Sequence, residues 1–435
     1  MKIIEKIKQS KLFKNTFYSF MGKIVAMVFY MLLDIVCARI LNVETYAEWV
    51  FFVAILTVMY YIGWLGINNS TKVFVSKEVK QERRNACISS ALILRLIGSI
   101  LVVCLLFIIA PEIAKVLGYP QKYPHLLELL FLAPVIVFFN SFSEFYKALF
   151  MGLQKFKNLF VITAVEYAGY FFYAIILFSI VKRVEGIAGG YICSGITVFL
   201  VGAVLLKKIT GRCEPVSWDE RIHTYILPIM KYAIPIAIIS IGGLILVEMD
   251  TFMLGILSTK EQVATYGIAK NFCSKATHIN YALTVGVMTE FSILNSENLK
   301  EKKKKFLKVS NLNIAIAVAV SLGFLILGPF VIGLLYGNGY EMAGTTLQVL
   351  VPYYFLYSVS NFFSSFLDFQ GAAKFRSLCY MSVVLINLVL NFLMIPRYGA
   401  KGAAIATSIS LVPYTVLVIG GTVNKFLKLQ RKGEY

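Results

Sequence analysis

Apolar residues along this chain fall in long unbroken runs, and polar residues gather in the short stretches between them. Each run reaches about 20 residues, the length a helix needs to cross the hydrocarbon of a bilayer. In lipid the backbone has to satisfy its own hydrogen bonds, so runs of this length without strict alternation predict helices rather than strands. The pattern predicts twelve, at 13–36, 49–67, 86–109, 126–150, 159–181, 187–206, 225–257, 266–293, 312–335, 347–369, 378–395 and 403–423. Pro111, Gly118, Pro120 and Pro124 break the chain before the fourth. Pro228 and Pro235 are expected to kink or shorten the long seventh. The expected fold class is all-α, a polytopic membrane protein of about twelve transmembrane helices.

The chain also repeats itself. Gly152-Leu153-Gln154-Lys155-Phe156-Lys157-Asn158-Leu159 returns as Gly371-Ala372-Ala373-Lys374-Phe375-Arg376-Ser377-Leu378, each copy following a run that ends in Phe (Phe150, Phe369). Downstream comes a Gly-rich echo, Gly186-Ile187-Ala188-Gly189-Gly190 against Gly399-Ala400-Lys401-Gly402-Ala403. Two matched signals in one order point to a duplicated unit of roughly 210 residues. The predicted organisation is an N-terminal six-helix bundle (1–206), a polar connector (207–224) and a pseudo-symmetric C-terminal six-helix bundle (225–435). The Gly pairs read as seams of close helix packing.

Hydrophobic residues make up 58% of the chain and the mean hydropathy is +0.75, which excludes an ordinary soluble domain. The formal charge of +19 matters through its distribution. Of the 42 Lys and Arg, thirty fall in alternate connections, the helix ends beside them and the two termini, eight in the opposite connections and four deeper within predicted helices. That bias places both termini and the two Gly-x-x-Lys-Phe turns in the cytoplasm, and it suits contact with anionic lipid. Nucleic-acid binding needs cations concentrated on one face, so no nucleic acid is expected. The basic start lacks a small-x-small cleavage site and is expected to stay attached ahead of the first helix. The seven cysteines are scattered, with no Cys-x-x-Cys and no His partner, so no disulfide framework, metal site or cofactor is expected.

Charged groups at membrane depth cost roughly 2.5–3.5 kcal/mol each and are kept where they have a task or a partner. The segment 266–293 carries Lys270, Asn271, Ser274, Lys275, His278 and Tyr281, which at about 100° per residue share one arc of a helix. These residues can line a cavity; alternatively Lys270 snorkels to the interface and Lys275 pairs with Glu248 or Asp250. Arg95 lies midway along its segment with no acid nearby in sequence. Asp34 and Arg39 flank the outer end of the first segment, and Glu248 and Asp250 lie in the seventh, its repeat partner. Acids at corresponding points of two halves are candidates for coupling or gating. Glu128 and Glu166 are further embedded acids, for which structural pairing is the commoner fate. With no Ser/His/Asp constellation and no Walker loop, an enzyme is not expected.

The run from Asn387 to Thr407, with Asn387-Leu388-Val389-Leu390-Asn391, then Ile395-Pro396-Arg397-Tyr398-Gly399-Ala400-Lys401-Gly402-Ala403-Ala404-Ile405-Ala406-Thr407, resembles a stretch of polysaccharide (O-antigen-type) flippases. Ala38-Arg39-Ile40-Leu41 and Met249-Asp250-Thr251-Phe252-Met253-Leu254-Gly255 resemble other recurring segments of that family. The resemblance covers essentially the whole chain. It implies two six-helix bundles around a central cavity, as in the multidrug/oligosaccharidyl-lipid/polysaccharide exporter superfamily. It further implies alternating-access movement of an undecaprenyl-pyrophosphate-linked oligosaccharide to the outer leaflet of a bacterial inner membrane. A compact polyanion draws Lys and Arg strongly at low dielectric, so Lys275, His278, Arg95, Arg39 and Lys270 are expected to hold the pyrophosphate. Asp34, Asp250 and Glu248 are the expected coupling or gating groups. The expected partners are the lipid-linked oligosaccharide, anionic lipid and glycan polymerase machinery.

Two alternatives remain. A MATE-type cation-coupled drug exporter shares the superfamily, but cationic drugs favour an acidic cavity over a lysine-bearing one. A membrane glycan polymerase or ligase is opposed by the short outer loops and the twofold repeat. Leu33 stands where lipid II flippases commonly carry Arg, so lipid II is not the expected cargo.

Overall fold

The computed structural model describes residues 11–210, 217–288, 291, 299–337 and 339–432. The basic start before residue 11, residues 211–216 of the connector and most of the end of the eighth predicted segment lie outside the described residues. Every regular element among the described residues is helical. The first seven helices are α1 (Lys11–Ile40), α2 (Val43–Trp64), α3 (Ile67–Lys77), α4 (Gln81–Val116), α5 (Leu126–Gly152), α6 (Phe156–Val181) and α7 (Val184–Thr210). A short turn of helix, Trp218–Glu220, and a π-helical stretch, Arg221–Ile226, lead into α8 (Leu227–Leu257). Then come α9 (Lys260–Met288), α10 (Leu299–Tyr336), α11 (Glu341–Phe369) and α12 (Ala373–Lys432).

Eight helices among the described residues are long and apolar enough to cross a bilayer, so the polytopic all-α expectation holds. Spans and elements do not correspond one to one, because the 60-residue α12 contains two membrane lengths joined at Gly399. Charge does not end helices where the hydropathy pattern does: α4 begins at Gln81 rather than 86, and α10 at Leu299 rather than 312. Lys and Glu are good helix formers. Once the membrane segment is helical, each residue added ahead of it gains a hydrogen bond without a new nucleus.

The chain divides into two compact units. One comprises the chain up to Leu41 together with Phe51–Glu248, and the other Asn42–Val50 together with the chain from Met249 onward. In the first, α6 packs along α7 and α1 along α6, while α3, α4 and α7 pack on α5. Phe142, Phe145, Leu149 and Phe150 of α5 form its core with Ala91 of α4 and Val198 of α7. The α6–α7 hairpin closes at glycines: a Cβ on Gly186 would press on the Leu177 carbonyl, and one on Gly190 would overlap Ala174. In the second unit α11 packs on α9, α10 and α12. Its core is aromatic, with Phe306 4.8 Å from Phe366 and Phe366 stacked on Phe426 at 5.0 Å. There Lys260 Nζ also lies 3.4 Å from carboxylate oxygens of both Glu44 and Glu48.

The break in α12 explains the spacing of the motif that contains it. Gly399 has φ 56° and ψ −130°, a conformation essentially reserved for glycine. The backbone N–H of Ala400 donates to Gln262 Oε1 at 2.8 Å. After the break the second arm folds back closely, since a Cβ on Gly402 would collide with the Met394 carbonyl. Thr407 on the returning arm thereby meets Asn387 on the outgoing one.

Candidate functional site

The two arms of α12 and the start of α9 converge on Asp250 of α8, which is buried. Tyr266 Oη donates to Asp250 Oδ2 at 2.6 Å, and Thr407 Oγ1 lies 2.7 Å from the same oxygen. Asn391 Nδ2 donates to Asp250 Oδ1 at 2.5 Å and lies 3.0 Å from Asn387 Oδ1. Asn387 Nδ2 in turn donates to Thr407 Oγ1 at 3.3 Å. Thr407 Oγ1 also sits 2.8 Å from the Ala403 carbonyl, so one hydroxyl proton serves two acceptors. Asn391 Oδ1 is buried with no hydrogen-bond partner among the described residues.

Among the described residues, the hydrogen bonds to this carboxylate come from neutral donors. Both Asp250 oxygens accept from hydroxyl and amide groups. Burying an anion this way is costly unless it is needed. Among the described residues no three His, Cys, Asp or Glu side chains converge on one point.

The cations expected from sequence are placed differently. Lys270 Nζ donates to Thr251 Oγ1 at 3.2 Å, one residue from Asp250, so this lysine joins the edge of the cluster. Farther along α9, Lys275 is half-buried and His278 exposed. Arg39 is exposed in the last turn of α1, where a cation complements the helix dipole. Asp34 and Glu248 are half-buried in the first unit, each with Tyr30 in its electrostatic surroundings.

Arg95 departs most from expectation. It is wholly buried and directs its guanidinium to the Trp64 carbonyl (3.0 Å), the Gly63 carbonyl and Ser99 Oγ (3.0 Å). It closes the C-terminal end of α2, whose last carbonyls have no helical partner, with three of its five N–H groups. Arg95→Met should therefore lower the folded, inserted amount of protein, each lost bond costing about 1–3 kcal/mol. Arg95→Lys should lower it less. Thermal denaturation in detergent checks this, and an unchanged midpoint for Arg95→Met would contradict the capping role.

Asn387, Asn391, Thr407 and Tyr266 were not among the expected site residues. Their signal is visible in retrospect: two amides one helical turn apart on an otherwise apolar helix are expensive unless they face a polar partner. Residues 12–289, more than half the chain, match the family described as polysaccharide biosynthesis protein. The chain belongs to the polysaccharide biosynthesis protein family.

Residues 235–393 of this polysaccharide biosynthesis protein also match the MatE family. A Shigella dysenteriae protein named as an O-antigen transporter is 23% identical over 371 residues, covering 85% of this chain and 89% of that one. A Haloferax volcanii protein named as a low-salt glycan biosynthesis flippase is 22% identical over 251 residues, 55% of this chain. That match spans about half of the relative's length, 52%. Among solved structures, an inward-facing multidrug resistance MATE transporter of the MOP superfamily superposes with a TM-score of 0.72 at 14% identity, covering 93% of this chain and 96% of that one. Lipid II flippase MurJ, in an inward closed conformation, gives 0.66 at 16% identity, covering 96% and 90%. At such identities the likeness shows the fold. The two relatives are named as a transporter and a flippase.

Proposed function

We propose that this polysaccharide biosynthesis protein flips an undecaprenyl-pyrophosphate-linked oligosaccharide from the cytoplasmic to the outer leaflet by alternating access of its two halves, 1–206 and 225–435, across the connector 207–224. The observation that carries the proposal is the convergence of the family motif, through Asn387, Asn391 and Thr407, on the buried carboxylate of Asp250. In this reading Asp250 is the coupling carboxylate of the second unit, and Asp34 and Glu248 are coupling or gating groups of the first. Lys275, Lys270, His278 and Arg39 attract the pyrophosphate; Arg95 is left to the scaffold. A MATE-type drug exporter would use the same fold, but the lysines of α9 favour anionic cargo. Anionic lipid meets the lysine-rich start of α10, and glycan polymerase machinery consumes the flipped unit.

Cells lacking this chain should retain finished lipid-linked oligosaccharide while losing surface glycan. Surface glycan at the normal level, with no accumulated intermediate, would refute the assignment.

We further propose that the protein lies in the bacterial inner membrane; the positive-inside bias supports an orientation with both termini cytoplasmic. Cysteines at Lys155 and Lys374, in a background without other cysteines, should react only with reagents that reach the cytoplasm. Labelling from outside intact cells would reverse the orientation.

A further inference from the structure

In the first unit, hydrogen-bond donors gather at the corner between α2 and α3. Only Leu65 and Gly66 separate the two helices, both with left-handed backbone at φ 49° and 67°. The corner is tightly packed. A Cβ on Gly63 would lie 2.9 Å from Ser141 Oγ of α5, and one on Gly66 would collide with the Ala233 carbonyl of α8. α3 begins there without a side-chain cap, so the N–H groups of its first turn have no helical acceptor. This helix end lies inside the protein, since Ile67 is 3% exposed and Asn68 9%.

Side chains at the corner share this condition. Both polar atoms of the Asn68 amide are buried with no hydrogen-bond partner among the described residues, and so is Ser141 Oγ. Asn68 is the second residue of α3. In a helix the Cα–Cβ bond tilts toward the N-terminus, so this amide leans over the end where the N–H groups are unclaimed. Farther along α3 the polar side chains are satisfied. Ser70 Oγ donates to the Gly66 carbonyl at 3.1 Å and Thr71 Oγ1 to the Ile67 carbonyl at 2.8 Å. The unmet donors belong to the corner and not to the helix as a whole.

The charge there has one sign. Arg95 of α4, wholly buried, bonds to the carbonyls of Gly63 and Trp64 and to Ser99 Oγ. All three acceptors are neutral, and no acid pairs with Arg95 among the described residues. A guanidinium stays charged in a protein. The carbonyl end of α2 carries about half a negative charge and the amide end of α3 about half a positive one. The two helix ends therefore nearly cancel, and the charge of Arg95 stands. A buried cation without a counter-charge is costly. Unclaimed N–H groups at a helix start, with amide and hydroxyl donors and a cation beside them, make up a set that holds an anion. With Gly63 closed against α5 and Gly66 against α8, the corner suits a monatomic anion better than a phosphate ester.

We propose that the α2–α3 corner binds one halide-sized anion of the class of chloride. Asn68 Nδ2, the Ser141 hydroxyl and the first-turn N–H groups of α3 hold it, and it balances the charge of Arg95. The anion joins three helices, α3, α4 and α5, at the break between α2 and α3. Its binding is independent of the transport reading given above, because the site is closed to cargo and serves the folded state of the first unit.

Thermal unfolding of the full chain in detergent, with gluconate exchanged for chloride at constant ionic strength, tests the site. A ligand that binds only the folded state raises its stability as concentration rises. The wild-type midpoint should therefore climb as chloride replaces gluconate, and bromide should act alike. Asn68→Ala should lose most of that dependence and Ser141→Ala part of it, so a folding failure of one leaves the other to decide. Asn68→Asp is the sharper variant, since its carboxylate supplies the negative charge in place and suits the start of a helix. In gluconate it should unfold at or above the midpoint of the wild type in chloride, and the exchange of anions should leave it unmoved. Equal wild-type midpoints in chloride and gluconate would overturn the proposal. So would an Asn68→Asp protein less stable than the wild type in gluconate, the outcome for a carboxylate buried without a counter-charge. Stabilisation by inorganic phosphate and not by chloride would overturn it as well, by assigning the corner to a phosphate-bearing ligand. No cargo enters the measurement, so its failure is distinct from failure of the transport reading.

Discussion

Asp250→Ala should abolish glycan export and also reduce the amount of protein in the membrane. Three donors, Tyr266, Asn391 and Thr407, lose their acceptor together, and each bond to a charged acceptor contributes about 1.5–3 kcal/mol. Asp250→Asn separates charge from packing. It keeps the shape and one carbonyl oxygen but places an NH2 against groups that are themselves donors. Membrane abundance should stay near that of the wild type, while export falls by on the order of tenfold or more, equivalent to at least about 1.4 kcal/mol of lost coupling. Surface glycan and membrane-bound protein, measured on the same cells, read the two effects separately. Normal export in Asp250→Asn would reduce Asp250 to a structural polar group.

Lys275 gives the second large effect. It lies half-buried on α9, a little more than one turn beyond Lys270, which already reaches Thr251. Lys275→Ala should remove export while leaving insertion intact, because Asp250 keeps its bonds from Tyr266, Asn391 and Thr407. Lys275→Arg should retain part of the activity, since charge is kept but shape and hydration change. Lys275→Glu should be worse than Ala, as it sets like charge against a phosphate. Adding Asp250→Ala to Lys275→Ala should not restore export. Rescue in that double variant, or normal export in Lys275→Ala, would move Lys275 from the site to the scaffold.

The helical membrane fold was legible because hydropathy acts over whole segments, and 20 apolar residues have few other destinations. The turn at Gly399 was legible too, since the apolar pattern already broke between 395 and 403. Partners across helices were not. Arg95 looked unpaired because sequence proximity shows acids but hides backbone carbonyls, and its acceptors are the main chain at Gly63 and Trp64. Lys147 fell close enough to a helix end to be counted with the cytoplasmic cations, yet it bridges Glu144 and Glu166 inside the helical pair. Asn387, Asn391 and Thr407 were seen as marks of kinship before they were seen as chemistry. Asp250, which Asn391 and Thr407 contact directly, lies 141 residues or more from them along the chain, and only the folding back of α12 brings both to it.

The central claim is movement of a lipid-linked glycan, and reconstitution measures it without the rest of the cell. Purified protein in vesicles would be given an undecaprenyl-pyrophosphate-linked oligosaccharide on one leaflet, with a membrane-impermeant glycosidase reporting its arrival on the other. The account predicts transfer well above protein-free vesicles for the wild type and loss of that transfer in Asp250→Asn and Lys275→Ala. Wild-type vesicles that match the protein-free control, or that carry a cationic drug and leave the glycan in place, would contradict it.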